Sequence, residues 1–154
     1  MPLVLQPSLP SKSLALQASG TADPTGKKNL QIFTSDLTGK NLQQLTTSTG
    51  NNYSPVWSPD GKSIAFVSTR DRFENIYILD VANSLNTRIL TYDGGESSNR
   101  NPSWSTDGAF IVFASNRDGN VYQLYLMTPN AKFIQKIAGP DDKTDSLNPR
   151  FFPQ

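Results

Sequence analysis

The 154-residue sequence contains no cysteine and no histidine. The absence of cysteine excludes disulfides, thiolate nucleophiles and cysteine-based zinc sites. The absence of histidine removes the commonest proton shuttle and the commonest metal ligand, so no histidine can activate a serine nucleophile. The composition therefore predicts a protein that is not an enzyme and that holds no metal and no other cofactor.

An excess of one charge and long apolar runs are also missing. Fourteen basic and 13 acidic residues give a net charge of +1, which leaves no basic surface of the kind that binds nucleic acid. No apolar run approaches the ~20 residues that a membrane-spanning helix needs. The first residues lack the basic segment and the long apolar segment that are expected of a signal peptide. We therefore expect neither nucleic acid nor membrane as a partner, and a cytoplasmic location by default, or a periplasmic one if a signal was removed.

What the sequence does contain is a block that recurs at a fixed interval. Pro55, Pro102 and Pro149 are spaced 47 residues apart. Two positions after each proline comes an aromatic residue. A fixed period between 20 and 50 residues marks a repeat architecture. The aromatic members of the block are Trp57, Trp104 and Phe151.

Each repeat consists of short apolar runs separated by turn residues. Residues 64–68 and 76–80 are rich in β-branched and aromatic residues and show no helical period, which predicts strands. Asp60-Gly61, and Asp107-Gly108 in the next copy, are typical of tight turns. Second strands are apolar on both faces and fourth strands alternate, as in four-stranded blades packed radially around a channel.

A third, degraded copy precedes these two. Residues 12–16 match residues 62–66, and residues 32–36 match residues 76–80. We therefore divide the single propeller unit into blade 1 at about 1–46, blade 2 at about 53–91, blade 3 at about 102–138 and a closing strand at 148–153.

The motif Pro-x-Trp-Ser-Pro-Asp-Gly-x-x-Ile-Ala-Phe-x-Ser-x-Arg at 55–70, followed by Asn-Ile-Tyr-Ile-Leu-Asp at 75–80, resembles the TolB-type β-propeller repeat. This resemblance implies an all-β, TolB-like six-bladed propeller whose blades serve binding, as in the non-catalytic propellers of prolyl-oligopeptidase-like enzymes. Blade 1 departs from the pattern, because it lacks both the tryptophan and the Pro-Asp-Gly turn.

Three blades are too few to close a ring, since propellers use four to eight. A half-ring would expose two end faces, each roughly 300 Å² from the spacing of strands and residues. We therefore predict a homodimer that forms one six-bladed ring, with the strand at 148–153 swapped into the partner's first blade. The alternative is that the chain is a truncated or engineered fragment of a longer propeller.

Two sets of polar residues need an interpretation. Asp60 and Arg70 are ten residues apart, as are Asp107 and Arg117, which predicts structural Asp–Arg pairs. We assign a structural role to all the residues that recur with the repeat. These are Pro55, Trp57, Asp60, Gly61, Arg70, Pro102, Trp104, Asp107, Gly108, Arg117, Pro149 and Phe151.

The second set lies near the starts of the first strands, which the resembled fold places at the channel mouth. A polar rim there could bind a protein segment or a small polar ligand, with arginine forming bidentate bonds to a carboxylate. The alternatives are ordinary turn residues, since asparagine before proline initiates turns, or a hydrolase or lyase with two carboxylates about 5 to 9 Å apart in the channel. The rim residues are Tyr53, Arg100, Asn101, Asn148 and Arg150.

Overall fold

The computed structural model describes residues 6–7, 13–23, 25–137 and 145–151. Within these ranges the chain is all β and contains no helix, so none could span a membrane. Sheet 1 comprises β1 (Gln6–Pro7), β2 (Ser13–Ser19), β3 (Leu30–Asp36) and β4 (Gln43–Gln44). Sheet 2 comprises β5 (Asn52–Trp57), β6 (Ser63–Asp71), β7 (Phe73–Asp80) and β8 (Thr87–Ile89). Sheet 3 comprises β9 (Asn99–Trp104), β10 (Ile111–Ser115), β11 (Gln123–Met127) and β12 (Ile134–Lys136).

All three sheets are antiparallel meanders in which neighbours in sequence are neighbours in space. Their registers are equivalent. Gln17 pairs with Ile32 in sheet 1, and Val67 pairs with Ile76 in sheet 2. The two pairs are related by the same shifts in residue number as the matched segments of blades 1 and 2. The prediction of an all-β chain built from four-stranded repeats is confirmed.

A kink recurs in β5 and β9, the first strands of sheets 2 and 3, and at the corresponding residue after sheet 3. Ser54, Asn101 and Asn148 have φ values of 52°, 52° and 59°, a left-handed conformation that is uncommon for residues other than glycine. In β5 and β9 the pairing with the second strand shifts register at this residue, which is a β-bulge. Residues 148–151 keep the kink but form no strand within the chain, and the rest of the predicted closing strand lies outside the described residues.

Sheet 2 packs a hydrophobic core on each of its faces. Ile64 and Phe66 face sheet 1, in a core that includes Trp57. Ala65 and Ile78 face sheet 3, in a second core. Successive side chains of a strand point to opposite faces, so the apolar second and third strands supply both cores.

The outward face of sheet 3 is less covered than the face of sheet 2 that it repeats. Ile76 and Ile78 of sheet 2 are buried against sheet 3, whereas the equivalent Leu124 and Leu126 are only half-buried. Ile137 is 37% exposed, although its main-chain N–H bonds to the carbonyl of Leu124 as in the repeated positions of the other sheets.

The outward face of sheet 1 behaves differently. Leu16 and Phe33 neighbour the core residues Ala15 and Ile32 in sequence and therefore point away from sheet 2. Both are nevertheless buried, with 7% and 8% exposure. The expectation that both end faces are exposed is therefore wrong for sheet 1.

The predicted Asp–Arg pairs are not formed within the described residues. The Asp60 carboxylate stays inside its own turn, where it accepts hydrogen bonds from Ser58 Oγ (2.6 Å) and the Lys62 N–H (3.1 Å). These bonds, led by the one from Ser58, hold the pKa of Asp60 below its usual value. Asp107 repeats this arrangement with Ser105. A short aspartate side chain satisfied by its own turn does not reach an arginine at the far end of β6.

The arginine instead joins two sheets. Arg70 stacks on the Tyr77 ring, 4.3 Å from its centroid, and donates to Asn52 Oδ1 (3.1 Å). Asn52 in turn donates to Gln31 Oε1 of sheet 1 (2.8 Å). Sheet 3 repeats this bridge to sheet 2 through Arg117, Asn99 and Asn75.

Candidate functional site

The kinked first strands meet at a cavity of about 150 Å³. We call it the axial cavity. It brings together Asn101, Asn148 and Arg150, three of the five residues predicted for the rim. Its lining residues are Ser54, Pro55, Val56, Asn101, Pro102, Asn148 and Arg150.

The axial cavity has a mixed polar and apolar lining and carries one positive charge. Asn148 and Arg150 are exposed, so a ligand can reach them. Arg150 donates to the carbonyl of Pro149 (3.2 Å) and forms no ion pair within the described residues. No carboxylate is among the lining residues. This combination of amides and an uncompensated guanidinium is suited to a carboxylate or another anion.

The C-terminal residues reach this cavity by repeating the contacts of a first strand. The N–H of Leu30 in sheet 1 donates to Asn51 Oδ1 (3.0 Å), just before β5. The N–H of Tyr122 in sheet 3 likewise donates to Asp145 Oδ1 (2.8 Å), and position 145 lies two repeats after position 51. Residues 145–151 therefore lie against sheet 3 as the start of β5 lies against sheet 1.

The other two predicted rim residues form a separate cluster. Tyr53 donates its hydroxyl to the carboxylate of Glu74, and Arg100 forms an ion pair with the same carboxylate. The Arg100 guanidinium also stacks on Tyr122, 4.8 Å from the ring centroid. Its terminal nitrogens have no hydrogen-bond partner in the described part of the chain, so they remain available to a ligand.

Burial and charge fix the protonation of this cluster. Burial, followed by the hydrogen bond to Glu74, raises the pKa of Tyr53, which stays a neutral phenol. Burial lowers the pKa of Arg100, but the hydrogen bond and the charge of Glu74 outweigh it and raise that pKa above its ordinary value. The cluster thus presents a firmly charged arginine held by the Glu74 carboxylate and the Tyr122 ring.

Sequence reasoning missed Glu74 and Tyr122 as parts of the rim. Aligning the starts of the third strands pairs Glu74 with Tyr122 at an interval of 48 residues, and this is the signal that could have found them. The residues at this end of the third strands face the starts of the first strands, as the contact of Arg100 with both shows.

The enzyme alternative requires two carboxylates that face each other in the channel, and the residues that line the axial cavity include none. Glu74 is engaged with Arg100. The described ranges contain no group of three or more acidic residues that could hold a metal ion.

Three four-stranded meanders that pack face to face, with kinked first strands around a common cavity, define a β-propeller architecture. Residues 24–153 match the family profile of the TolB beta propeller domain. The chain belongs to this family.

Individual relatives agree with this assignment. The Tol-Pal system protein TolB of Thioalkalivibrio sulfidiphilus is 33% identical over 69 residues, which are 45% of this chain and 16% of that protein. The crystal structure of TolB from Acinetobacter baumannii superposes with a TM-score of 0.71 at 25% identity, covering 86% of this chain and 31% of that one. This chain therefore spans less than half the length of these relatives.

Enzymes share the fold as well. The oligogalacturonate lyase of Vibrio parahaemolyticus superposes with a TM-score of 0.66 over 86% of this chain and 40% of its own. The identity is only 12%, so this likeness concerns the fold alone.

Proposed function

We propose that this chain is a non-catalytic binding propeller that recognises a protein segment or a small polar ligand at the channel mouth. The observation that carries the proposal is the axial cavity, where Asn101, Asn148 and Arg150 meet without a compensating carboxylate. Amide and guanidinium groups hydrogen-bond strongly to a carboxylate, so the ligand we infer presents one, either as an acidic side chain or as a chain terminus.

The neighbouring cluster supports the same chemistry. Glu74 bonds the Nε of Arg100, and Tyr122 covers one face of its guanidinium, which leaves the terminal nitrogens of an oriented, 41% exposed side chain to a ligand. Tyrosine and arginine are the residues most enriched at energetically important positions of protein interfaces. A protein partner is also in keeping with relatives named Tol-Pal system protein TolB.

We further propose that a second copy completes a six-bladed ring. Leu124 and Leu126 of sheet 3 are half-buried. Their equivalents in sheet 2, Ile76 and Ile78, are buried against sheet 3. Two such junctions would bury on the order of 1,300 Å², which is within the range of specific interfaces. Leu16 and Phe33 are already buried in the single chain. A second copy can therefore pack against this face of sheet 1 only if these two side chains are first uncovered.

The strand swap gains support from the inner edge of sheet 1. β1 pairs with β2 only through Gln6 and Pro7, whereas β5 and β9 are six residues long. The partner's residues 148–153 would extend this short first strand. The kink at Asn148 already has the conformation of Ser54 and Asn101. A longer propeller that supplies the missing blades from its own chain is the alternative outcome of the test.

Binding can be tested by NMR titration with N-acetylglycine, which carries a carboxylate, against N-acetylglycinamide, which does not. We expect saturable shifts of the Asn101 and Asn148 side-chain amides with the acid only, and at least a tenfold loss of affinity in Arg150→Ala. Lys132→Ala, an exposed substitution outside the cavity, serves as the control. Equal responses to the two compounds, or an unchanged affinity in Arg150→Ala, would exclude the proposed site.

A further inference from the structure

A larger cavity of about 660 Å³ lies at the outer part of sheet 2 and shares no lining residue with the axial cavity. We call it the outer cavity. One carboxylate, Asp71, faces it together with the aromatic residues Phe73, Tyr77 and Tyr92 and the aliphatic Ile89. Nothing in the binding function proposed above uses these side chains.

Sheet 3 contains the equivalent cavity, which serves as an internal reference. That cavity measures about 360 Å³ and is lined by Asp118 and Lys136. The Lys136 ammonium lies 4.0 Å from the Asp118 carboxylate. Tyr125 donates its hydroxyl to Asp118, as Tyr77 does to Asp71, so the two carboxylates have the same tyrosine partner.

The two cavities differ in the residue that carries the positive charge, which is Arg72 in sheet 2 and Lys136 in sheet 3. The position of Lys136 in sheet 3 is taken by Ile89 in sheet 2, 47 residues earlier. Asp71 therefore has the tyrosine but not the lysine of its counterpart, and it forms no ion pair in the described ranges. The outer cavity is also the larger of the two, at about 660 Å³ against about 360 Å³.

Aromatic side chains are present where the lysine is missing. Phe73 is 38% exposed and Tyr92 is 62% exposed, so both rings are accessible to a ligand. Gly95, with φ of 86°, lies directly against Phe73, because a Cβ there would be 3.4 Å from the ring. Exposed aromatic faces beside a carboxylate attract cations, and quaternary ammonium groups in particular.

We infer that the outer cavity binds a substituted ammonium group, such as a lysine side chain or a quaternary amine, which takes the place that Lys136 holds in sheet 3. Asp71 supplies the opposite charge, and Phe73 and Tyr92 supply ring faces. The remaining ring, Tyr77, is already covered on one side by Arg70 at 4.3 Å and contributes mainly its bond to Asp71.

Arg72 should weaken the binding of an ammonium ion, so its removal should increase the affinity. Its side chain lines the outer cavity and adds a like charge, whereas the equivalent residue of sheet 3 is Gly119. Arg72 also has a φ of 78°, so a glycine is compatible with its backbone. Arg72→Gly is therefore expected to tighten ammonium binding about threefold while leaving the turn intact.

The experiment is an NMR titration of the whole chain with tetramethylammonium chloride, with tert-butanol as a neutral probe of similar shape. We expect saturable shifts of the Gly94 and Gly95 amides with the ammonium ion only. Asp71→Asn, which keeps an acceptor for Tyr77, should weaken binding about threefold because Asp71 is exposed, and Phe73→Ala or Tyr92→Ala should do so about threefold each. Ile89→Lys should also weaken binding, because its ammonium competes for the same position.

The matched control is Asp118→Asn, which alters the equivalent carboxylate of sheet 3 and should leave the titration unchanged. Thermal unfolding of every variant identifies any that fail to fold, and Asp71→Asn alone suffices if Ile89→Lys is one of them. Equal shifts with tert-butanol, no saturation, or equal affinities of Asp71→Asn and Asp118→Asn would each overturn the inference.

Discussion

The two faces of sheet 3 carry similar apolar side chains but differ in what covers them. On the face toward sheet 2, Phe113 and Met127 are fully buried in a shared core. On the opposite face, Leu124 and Leu126 are half-buried and Ile137 is 37% exposed. The sequence pattern of a blade thus prepares both faces for burial, and on sheet 3 only the face toward its neighbour is fully covered. The stability of such a repeat protein comes largely from contacts between neighbours.

The largest expected difference concerns Ile76 and its counterpart Leu124. Ile76→Ala removes a fully buried side chain and should lower the free energy of unfolding by about 2–5 kcal/mol. Leu124→Ala should cost only about 1 kcal/mol at protein concentrations low enough to separate two copies, because the side chain is half-exposed there. Urea denaturation measures both. Equal costs in dilute protein would mean that the outward face of sheet 3 is covered within the chain.

The polar bridges between sheets give the next largest effect. Asn52 and Asn99 are fully buried, and each links an arginine of its own sheet to an amide of the preceding sheet. Asn52→Ala and Asn99→Ala should each cost about 1–3 kcal/mol, since they leave buried partners unsatisfied. Ser146 is the equivalent residue after sheet 3. Ser146→Ala should lower the free energy of unfolding by less than about 0.5 kcal/mol. Similar costs at all three positions in urea denaturation would refute this ranking.

Tyr53, in the cluster between sheets 2 and 3, should make the stability of the fold depend on alkaline pH. Burial, followed by the bond to Glu74, raises the pKa of Tyr53 above 10.0, its ordinary value. A group with a raised folded-state pKa stabilises the fold fully below its unfolded value, so the free energy of unfolding should fall as the pH rises above about 10. The slope from one tyrosine is at most about 1.4 kcal/mol per pH unit, and partial exposure of Tyr53 makes it smaller.

Tyr53→Phe is the matching variant. It should flatten the decline of stability between about pH 10 and pH 12, although Tyr77, whose pKa is also raised by burial, keeps part of it. Urea midpoints at several pH values measure the effect. An unchanged slope in Tyr53→Phe would contradict the role assigned to its hydroxyl.

The smallest effect is expected at the outer edge of sheet 3. Lys136 and Asp118 form a 4.0 Å ion pair at partly exposed positions. Lys136→Met should change the free energy of unfolding by less than about 0.5 kcal/mol, because exposed ion pairs contribute little. Thermal unfolding in low and high salt would detect a larger contribution.

Sequence periodicity predicted most of the fold because strand, turn and repeat signals agree. Matching residues 12–16 with 62–66 and residues 32–36 with 76–80 predicted the equivalence of sheets 1 and 2, and the strand pairing follows the same offsets. The Asp60–Arg70 pair was wrong because spacing along a chain does not show that an aspartate is already satisfied by its own turn.

The candidate site was predictable in part. Asn101 and Asn148 recur with the repeat, and together with Arg150 they converge at one cavity. Tyr53 and Arg100 separate from them because both bond to Glu74, which belongs to a third strand and lies 21 and 26 residues away in sequence. Such contacts depend on how two sheets pack, and no local pattern encodes them.

The proposed homodimeric ring is tested most directly by the mass of the chain in solution, measured by light scattering after size-exclusion chromatography over a range of concentrations. We expect a dimer of twice 16.9 kDa. Leu126→Lys, a change confined to the outward face of sheet 3, should dissociate this dimer. A folded species of 16.9 kDa at every concentration, unaffected by Leu126→Lys, would contradict the proposed ring.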